Sequence, residues 1–282
     1  MLLNLAGSAP WFARAQIATL HDAAVFDQPQ AYTRAFRWWY RSLFRHLARG
    51  SGRLLTVSEF SRQRLASALG VPAGRLEVVP NGGDHFERLV ADRRVLSELG
   101  LAGQPYLLAV ASANPTKNLA RLVSAFGQLS SSAIDLRLVL VGGINRRVFA
   151  SAGGALSTPG LVQAGAVDDA RLKALYEQAL GLVLPSVYEG FGLPALEAMS
   201  CGCPVIAAQA AALPEICGEA ALYVDPLSSD QLAEAMARLA ADSGIRNDLR
   251  VAGRRRVAQF GWQEAGRQLL ELVEAAASTT SD

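Results

Sequence analysis

Glu189 and Glu197 stand eight residues apart on either side of Gly190-Phe191-Gly192, within the stretch SVYEGFGLPALEAMSCGCPVIA that runs from Ser186 to Ala207. A turn between apolar runs normally avoids charge, because an ionised carboxylate loses its hydration there. Carboxylates beside bare backbone amides suit a ligand that is both anionic and rich in hydroxyls. Gly190 and Gly192 let such a ligand come close to the main chain. Pro194 suits the first turn of a helix, and the unpaired amides of a helix start attract an anion such as a diphosphate. The carboxylate of Glu197 can accept two hydrogen bonds from a ribose diol. Glu189, in the turn itself, is placed to face a reacting group. The plainer alternative makes Glu197 a helix-dipole partner worth about 0.3–1 kcal/mol. On the residues alone the two readings weigh equally.

A second stretch, ASANPTKN from Ala111 to Asn118, follows an apolar run. The chain has 27 Lys plus Arg, of which only Lys117 and Lys173 are lysine. A lysine in a Gly/Pro/Asn-type turn of so arginine-rich a chain signals a compact ammonium. Lys117 is either a solvated turn lysine or a clamp on a departing diphosphate. Lys173, in a helical stretch, is expected to face water. A third stretch, LVGGIN from Leu140 to Asn145, ends a strand in Gly142-Gly143. It lacks the G-x-G-x-x-G spacing of a dinucleotide site, and no G-x-x-x-x-G-K-[ST] occurs. A nicotinamide dehydrogenase and a P-loop nucleotidase are thereby disfavoured. The fourth is His21-Asp22 at the end of a strand. With three histidines in all, His21, His46 and His85, no Ser/His/Asp set and no H-E-x-x-H appear. A lone strand-end histidine is usually structural, and becomes a substrate contact if it lines a cleft.

Strands and helices alternate along the chain. Apolar runs at Tyr106–Ala111, Leu136–Val141, Leu161–Gln163, Leu182–Leu184, Pro204–Ala207 and Ala221–Val224 read as buried strands. Helical patterns at Leu119–Leu129, Ala170–Ala179, Pro194–Met199 and Leu213–Cys217 lie between most of them, and Ser228–Ala241, Gly244–Ala258 and Trp262–Ala277 close the chain. This is an α/β pattern with a parallel sheet covered on both faces. Earlier, Met1–Leu5 reads as a buried strand, and Ile17–Leu20, Leu54–Val57 and Leu76–Val79 as further strands, with Ser61–Leu69 as a helix after the second of these three. The turn Pro80-Asn81-Gly82-Gly83 and the charged stretch after it divide the chain into domains 1–88 and 89–282, the second with a closing helix over 262–277.

A hydrophobic fraction of 51% over 282 residues supports a sizeable core, and a net charge of +2 argues against nucleic acid as a partner. Three cysteines, Cys201, Cys203 and Cys217, argue for a reducing, cytoplasmic setting. No nearby ligands complete a metal site with Cys201 and Cys203. No apolar run is long enough to span a bilayer, and no signal peptide is read. Arg34, Arg37, Arg41, Arg45 and Arg49 form one stripe along the predicted helix Tyr32–Arg49. Phe36, Trp39, Tyr40, Leu43 and Leu47 form the opposite arc. The expectation is an amphipathic helix whose apolar arc packs on the sheet. The arginines remain able to meet anionic lipid or acceptor phosphates at an inner membrane face.

Taken together, EGFGLPALEAMSCGCPVIA with its Glu189-x7-Glu197, PTKNL, TVSEFSRQRL, VVPNGGD, IATLHDAAVF and FGWQEAG resemble glycosyltransferase family 4, over nearly the whole chain. The resemblance implies the GT-B fold, two Rossmann-like domains with parallel sheets, the first incomplete. It implies a retaining transfer from a nucleotide-sugar donor, GDP-mannose in the first instance, to a glycan or lipid-linked acceptor in polysaccharide biosynthesis, without cofactor or metal. On that resemblance Glu197 binds the ribose hydroxyls and Glu189 faces the donor sugar. Gly190, Phe191, Gly192 and Leu193 contact sugar and diphosphate, and Lys117 stabilises the leaving group. His21 reaches the sugar from the first domain. Asn114, Gly142 and Gly143 line the donor site, Gly165, Ala166 and Val167 with Leu172 lie near the base, and Asn81 and Gly82 sit at the hinge. Two departures stand out. No arginine precedes Lys117 in the turn, so Arg146 or Arg147 is the substitute expected for phosphate. The first domain also starts at what resembles a later strand. That leaves an alternative, a nucleotide-sugar-binding module needing a separate N-terminal chain.

Overall fold

The computed structural model describes residues 1–13, 15–50, 52–110, 112, 114–129, 135–143 and 158–278. Two parallel sheets organise the chain. The first runs β1 (Leu2–Asn4), β2 (Gln16–Thr19), β3 (Arg53–Thr56) and β4 (Leu76–Val78), paired in sequence order. The second contains β5 (Tyr106–Val110), β6 (Arg137–Val141), β7 (Leu161–Gly165), β8 (Gly181–Leu184), β9 (Val205–Ala208) and β10 (Ala221–Val224), in the order β10-β9-β8-β5-β6-β7. From β5 the chain builds outward through β6 and β7, then crosses back to lay β8 on the other side of β5. That reversal opens a crevice between the carboxyl ends of β5 and β8, where open α/β sheets take ligands.

Alternation with period two fills both faces of the second sheet. Leu108, Val139, Leu182, Val205 and Ala207 enter one core cluster, and Leu107, Leu138, Leu140, Val183 and Ile206 the other. A third cluster, built on Ala18, Leu54 and Leu76, belongs to the first sheet. It is covered by α1 (Ala24–Asp27), α2 (Arg34–Arg49) and α3 (Glu59–Leu69). Local chemistry sets the helix ends. The Ser58 hydroxyl accepts from the Ser61 amide to cap α3, and Gly70 ends it at φ 68°. α3 therefore begins two residues before the expected Ser61. The second domain adds α4 (Arg94–Glu98), α5 (Leu119–Leu129), α6 (Asp169–Gln178), α7 (Leu193–Ser200), α8 (Leu213–Cys217), α9 (Ser229–Ala241), α10 (Ser243–Val257) and α11 (Trp262–Ser278).

Four expectations are corrected. β1 pairs with β2 alone and is an exposed edge, with Leu2 48% and Leu3 45% exposed, rather than a buried strand. Only the C-terminal half of the α2 arc is buried, through Leu43, Phe44 and Leu47, while Phe36, Trp38 and Trp39 stay exposed. The arginine stripe is also not wholly free, because Arg41 donates to the Val25 and Phe26 carbonyls. Lys173 does not face water. Its ammonium donates to the Phe86 carbonyl at 2.7 Å and lies 3.7 Å from Glu177, tying the turn Asp84–Arg88 to α6. A flexible cation whose head reaches a carbonyl buries its stem on the way, which helical position alone does not reveal.

α11 docks on the turn after β4. Gly83 donates to the Phe260 carbonyl, and the Trp262 amide donates to Asp84. Gly82 lies so close to Trp262 that an added Cβ would sit 2.4 Å from its amide nitrogen. Backbone cannot yield as a side-chain tip can. Gly82→Ala is expected to lower stability by about 1–3 kcal/mol in urea denaturation, with Trp262 fluorescence reporting the displaced helix.

Candidate functional site

The two loops that leave β5 and β8 are stitched together before any ligand enters. After β5, Asn114 accepts from the Thr116 amide and opens a 3-10 turn, Pro115–Lys117. Asn118 closes it in the left-handed region at φ 57°, its side-chain amide donating to the Pro185 and Pro226 carbonyls. The Val187 amide, from the loop after β8, donates to the Thr116 carbonyl. This frame carries Lys117 to Glu189, with Nζ 2.6 Å from Oε1, and Ser186 donates to the same oxygen at 2.7 Å. Both side chains are largely enclosed, 22% and 12% exposed. An enclosed ion pair is a poor source of stability, since desolvation offsets much of the attraction. The pair stands at the reversal of the sheet, where open α/β sheets take ligands.

Beyond Glu189 the chain enters α7. Gly192 is the N-cap at φ 105°, with Pro194 in the first turn. Among the described residues the amides of Gly190, Phe191 and Gly192 have no protein acceptor. They sit beside the start of α7, so their free N–H groups and the helix dipole favour an anion. Glu197 lies just past that first turn. Its carboxylate accepts from the Tyr176 hydroxyl at 3.2 Å and approaches Nε2 of His85 at 3.4 Å. The Trp262 indole donates to Nδ1 of His85, which leaves Nε2 as the protonated nitrogen facing Glu197. Burial raises the Glu197 carboxyl, opposed by His85 and by the Tyr176 bond.

The first domain closes the site from the other side. An added Cβ on Gly190 would stand 2.5 Å from the Asp22 Cβ, so only glycine fits there. Both the Ser58 and Ser61 hydroxyls donate to the Gly190 carbonyl. Glu215 of α8 caps α3 across the cleft, accepting from the Glu59 and Phe60 amides, and Tyr188 donates to Asp27. His21 sits beside the cleft, its ring bonded to the Leu5 carbonyl at 2.9 Å. A cleft of about 390 Å³ between the first sheet and α11 is lined by His21, Leu5, Asn81 and Trp262.

The structure therefore brings Lys117, Glu189, Gly190, Phe191 and Gly192 together, with His21 and Asn114 at their margin. Gly142 and Gly165 end β6 and β7 on the same sheet edge, joined by an amide-to-carbonyl bond of 2.7 Å. Gly143 and Gly165 face open space, Ala166 is exposed, and Val167 with Leu172 packs on the core. Arg146, Arg147, Asn145, Ala111 and Ala113 lie outside the described residues. Among the described residues no cluster of acidic, histidine or cysteine side chains is placed to hold a metal ion. The cysteine thiols are pushed up by burial, Cys201 to about 11 and Cys217 to about 12, so they stay protonated at neutral pH.

Asp22, Ser58, Ser61, His85 and Glu215 are the neighbours to which sequence reasoning gave no role. Only Asp22 carried a signal, as the partner of His21 at a strand end. Burial raises its carboxyl above the ordinary 3.8, opposed by the Ala24 amide and by His21, and reinforced by Glu189 and Asp27. A carboxyl raised on folding leaves stability full below its unfolded value and loses it as pH climbs through the folded one. Asp22→Asn keeps an acceptor for Ala24 and removes the charge. It is expected to raise the thermal midpoint at pH 7 by about 2 °C, the gain closing as pH falls to about 4, by scanning calorimetry at both pH values.

The sequence and fold have known counterparts. The profile of Glycosyl transferases group 1 matches residues 96–256, and that of Glycosyltransferase Family 4 matches residues 3–85. O-antigen chain mannosyltransferase B of Escherichia coli is 33% identical over 264 residues, covering 90% of this chain and 68% of that protein. The MMP alpha-(1->4)-mannosyltransferase of Mycolicibacterium hassiacum is 32% identical over 279 residues, covering 92% and 65%. Sucrose-phosphate synthase from Thermosynechococcus elongatus superposes with a TM-score of 0.76 at 26% identity, over 94% of this chain and 68% of that one. The chain thus spans about two thirds of the length of these relatives. The strands β5–β10 and the switch-point crevice lie in the stretch that matches group 1, β2–β4 lie in the stretch that matches Family 4, and the fold is GT-B: the chain belongs to glycosyltransferase family 4.

Proposed function

We propose that the chain is a retaining hexosyltransferase that moves mannose from GDP-mannose to a glycan or lipid-linked acceptor in polysaccharide or glycolipid synthesis. The observation that carries the reading is the enclosed pair Lys117–Glu189 at the sheet reversal, 2.6 Å apart, beside the amides of Gly190, Phe191 and Gly192, from which no described protein group accepts. The two mannosyltransferases among its relatives support the choice of sugar.

The diphosphate of the donor takes the amides and the start of α7, and Glu197 receives the ribose diol. Glu189 holds the Lys117 ammonium in the cleft until the diphosphate arrives, then turns to the hexose hydroxyls. The bond from the anomeric carbon to the diphosphate oxygen breaks, and the acceptor hydroxyl attacks from the same face. Its proton passes to the departing phosphate oxygen. Negative charge grows on the leaving diphosphate, and a fixed cation with fixed amides lowers the barrier because neither reorganises as the charge develops. Burial keeps Glu197 in contact with Tyr176 and His85, so a ribose diol meets a carboxylate already oriented.

A second reading is favoured by the open edge at β1. The chain is then a nucleotide-sugar-binding module that needs further elements along Leu2–Asn4 to turn over. Calorimetry with GDP, UDP and ADP tests what both readings share, and binding to none of them removes both. Release of mannose or its transfer by the chain alone selects the enzyme, and binding without turnover selects the module. For the enzyme, Lys117→Ala lowers kcat by about 100-fold with a smaller change in donor affinity. Glu197→Ala weakens GDP binding by about tenfold, the worth of hydrogen bonds to one charged group. A Lys117→Ala variant with the wild-type rate refutes the clamp.

The exposed face of α2 extends the proposal to an anionic membrane on the cytoplasmic side. Trp38, 70% exposed, falls within the stripe of Arg34, Arg37, Arg45 and Arg49 by helical spacing, while Trp39 on the other arc is 47% exposed and Phe12 97%. Aromatic rings with arginines are the composition of an interfacial surface. Sedimentation with anionic vesicles, weakened but not abolished by high salt, is the expected result. Equal pelleting with neutral vesicles discards the arginine contribution.

A further inference from the structure

The Gly190 carbonyl receives two hydroxyl donors from the opposite domain, Ser58 at 2.6 Å and Ser61 at 2.9 Å. Both serines are fully enclosed. Each has one hydroxyl proton, and each commits it to this oxygen, while Ser58 also accepts from the Ser61 amide. Both lone pairs of the carbonyl are thereby filled. A trans peptide is planar, with its C=O and N–H antiparallel. Fixing the Gly190 carbonyl toward α3 therefore directs the Phe191 N–H the opposite way, where no described protein group accepts it. A backbone donor that no protein group accepts is met by water or by a ligand. The close approach of Gly190 to Asp22 adds a steric stop, since any side chain at 190 would push the peptide off the serines.

We infer that Ser58 and Ser61 are positioning residues. They use the first domain to aim the Gly190–Phe191 peptide, and with it one amide of the donor site, once the two domains are docked. Glu215 supports the same docking by accepting from the first amides of α3. The inference rests on the transfer reading for its kinetic consequence and on geometry alone for its structural one. A donor amide that is correctly aimed before the reaction stabilises the charge that develops during it, so losing the aim lowers kcat more than it raises KM.

Ser61→Ala is the leading variant, because alanine is favourable inside a helix and the α3 cap on Ser58 remains. Ser58→Ala/Ser61→Ala removes both donors. The carbonyl carbon resonance of Gly190, in ¹³C-labelled protein without donor, reads the hydrogen bonds directly. The expected result for Ser61→Ala is an upfield shift of that resonance and a near wild-type thermal midpoint. Its kcat with GDP-mannose falls roughly tenfold, while the donor KM changes less than about twofold; the double variant deepens both effects. An unchanged Gly190 resonance in Ser61→Ala, or wild-type kcat in both variants, overturns the inference. If wild-type protein neither binds GDP nor consumes a sugar nucleotide, the transfer reading fails, and the Gly190 resonance still decides whether the serines hold the peptide.

Discussion

An ammonium and a carboxylate held 2.6 Å apart in a cleft set the terms for this molecule. Isolated, either charge would resist enclosure, and together they roughly break even against desolvation. A fold keeps such a pair where a charged ligand has to be met. The topology explains why it stands here. β5 and β8 are neighbours although the chain between them passes through β6 and β7 on the far side of β5, as the doubly wound plan requires. The loops leaving two adjacent strand ends diverge to opposite faces and leave a crevice. Lys117 comes from one loop and Glu189 from the other, joined by the Val187–Thr116 and Asn118–Pro185 bonds.

The rest of the structure serves that crevice from two sides. α7 begins beside it and turns its first amides to it. The first domain docks through Ser58, Ser61 and the close pass of Asp22 by Gly190, and α11 fixes the turn after β4 through Trp262, Asp84 and His85. His85 then connects that docking to Glu197, so the helix that closes the chain and the carboxylate beside α7 share one hydrogen-bonded network. Gly82, Gly190 and Gly192 are three of the points around this crevice and its docking surfaces where backbone meets another element too closely for a Cβ.

Much of the second domain was legible in the sequence because its signals are local. Runs such as Leu182–Leu184 between helical patterns give strands whose ends differ from the observed ones by a residue or two, and Leu119–Leu129 and Leu213–Cys217 match in both bounds. The turn 189–192 announced itself by placing charge and glycine among apolar runs. What stayed hidden depends on partners far along the chain. Ser58 follows the apolar run Leu54–Val57, and nothing near it in sequence shows that its proton is spent on a carbonyl 132 residues away. Lys173 reads as a solvated helix lysine until the Phe86 carbonyl is brought to it. Phe36 and Trp39 lie on the apolar arc of α2, but the helix outruns the small first sheet, and they meet other half-exposed rings, Trp39 against Trp11 and Phe36 against Tyr32, rather than the core. Leu2 and Leu3 look like core for the same reason, since hydrophobicity marks a strand without saying how many neighbours it has.

The most direct test of the central claim is a crystal structure of the protein with GDP-mannose bound. The account predicts the diphosphate against the amides of Gly190, Phe191 and Gly192, with the Lys117 ammonium within hydrogen-bonding distance of a phosphate oxygen and Glu189 released toward the hexose. A diphosphate seated elsewhere, with the Lys117–Glu189 pair still closed, would contradict it.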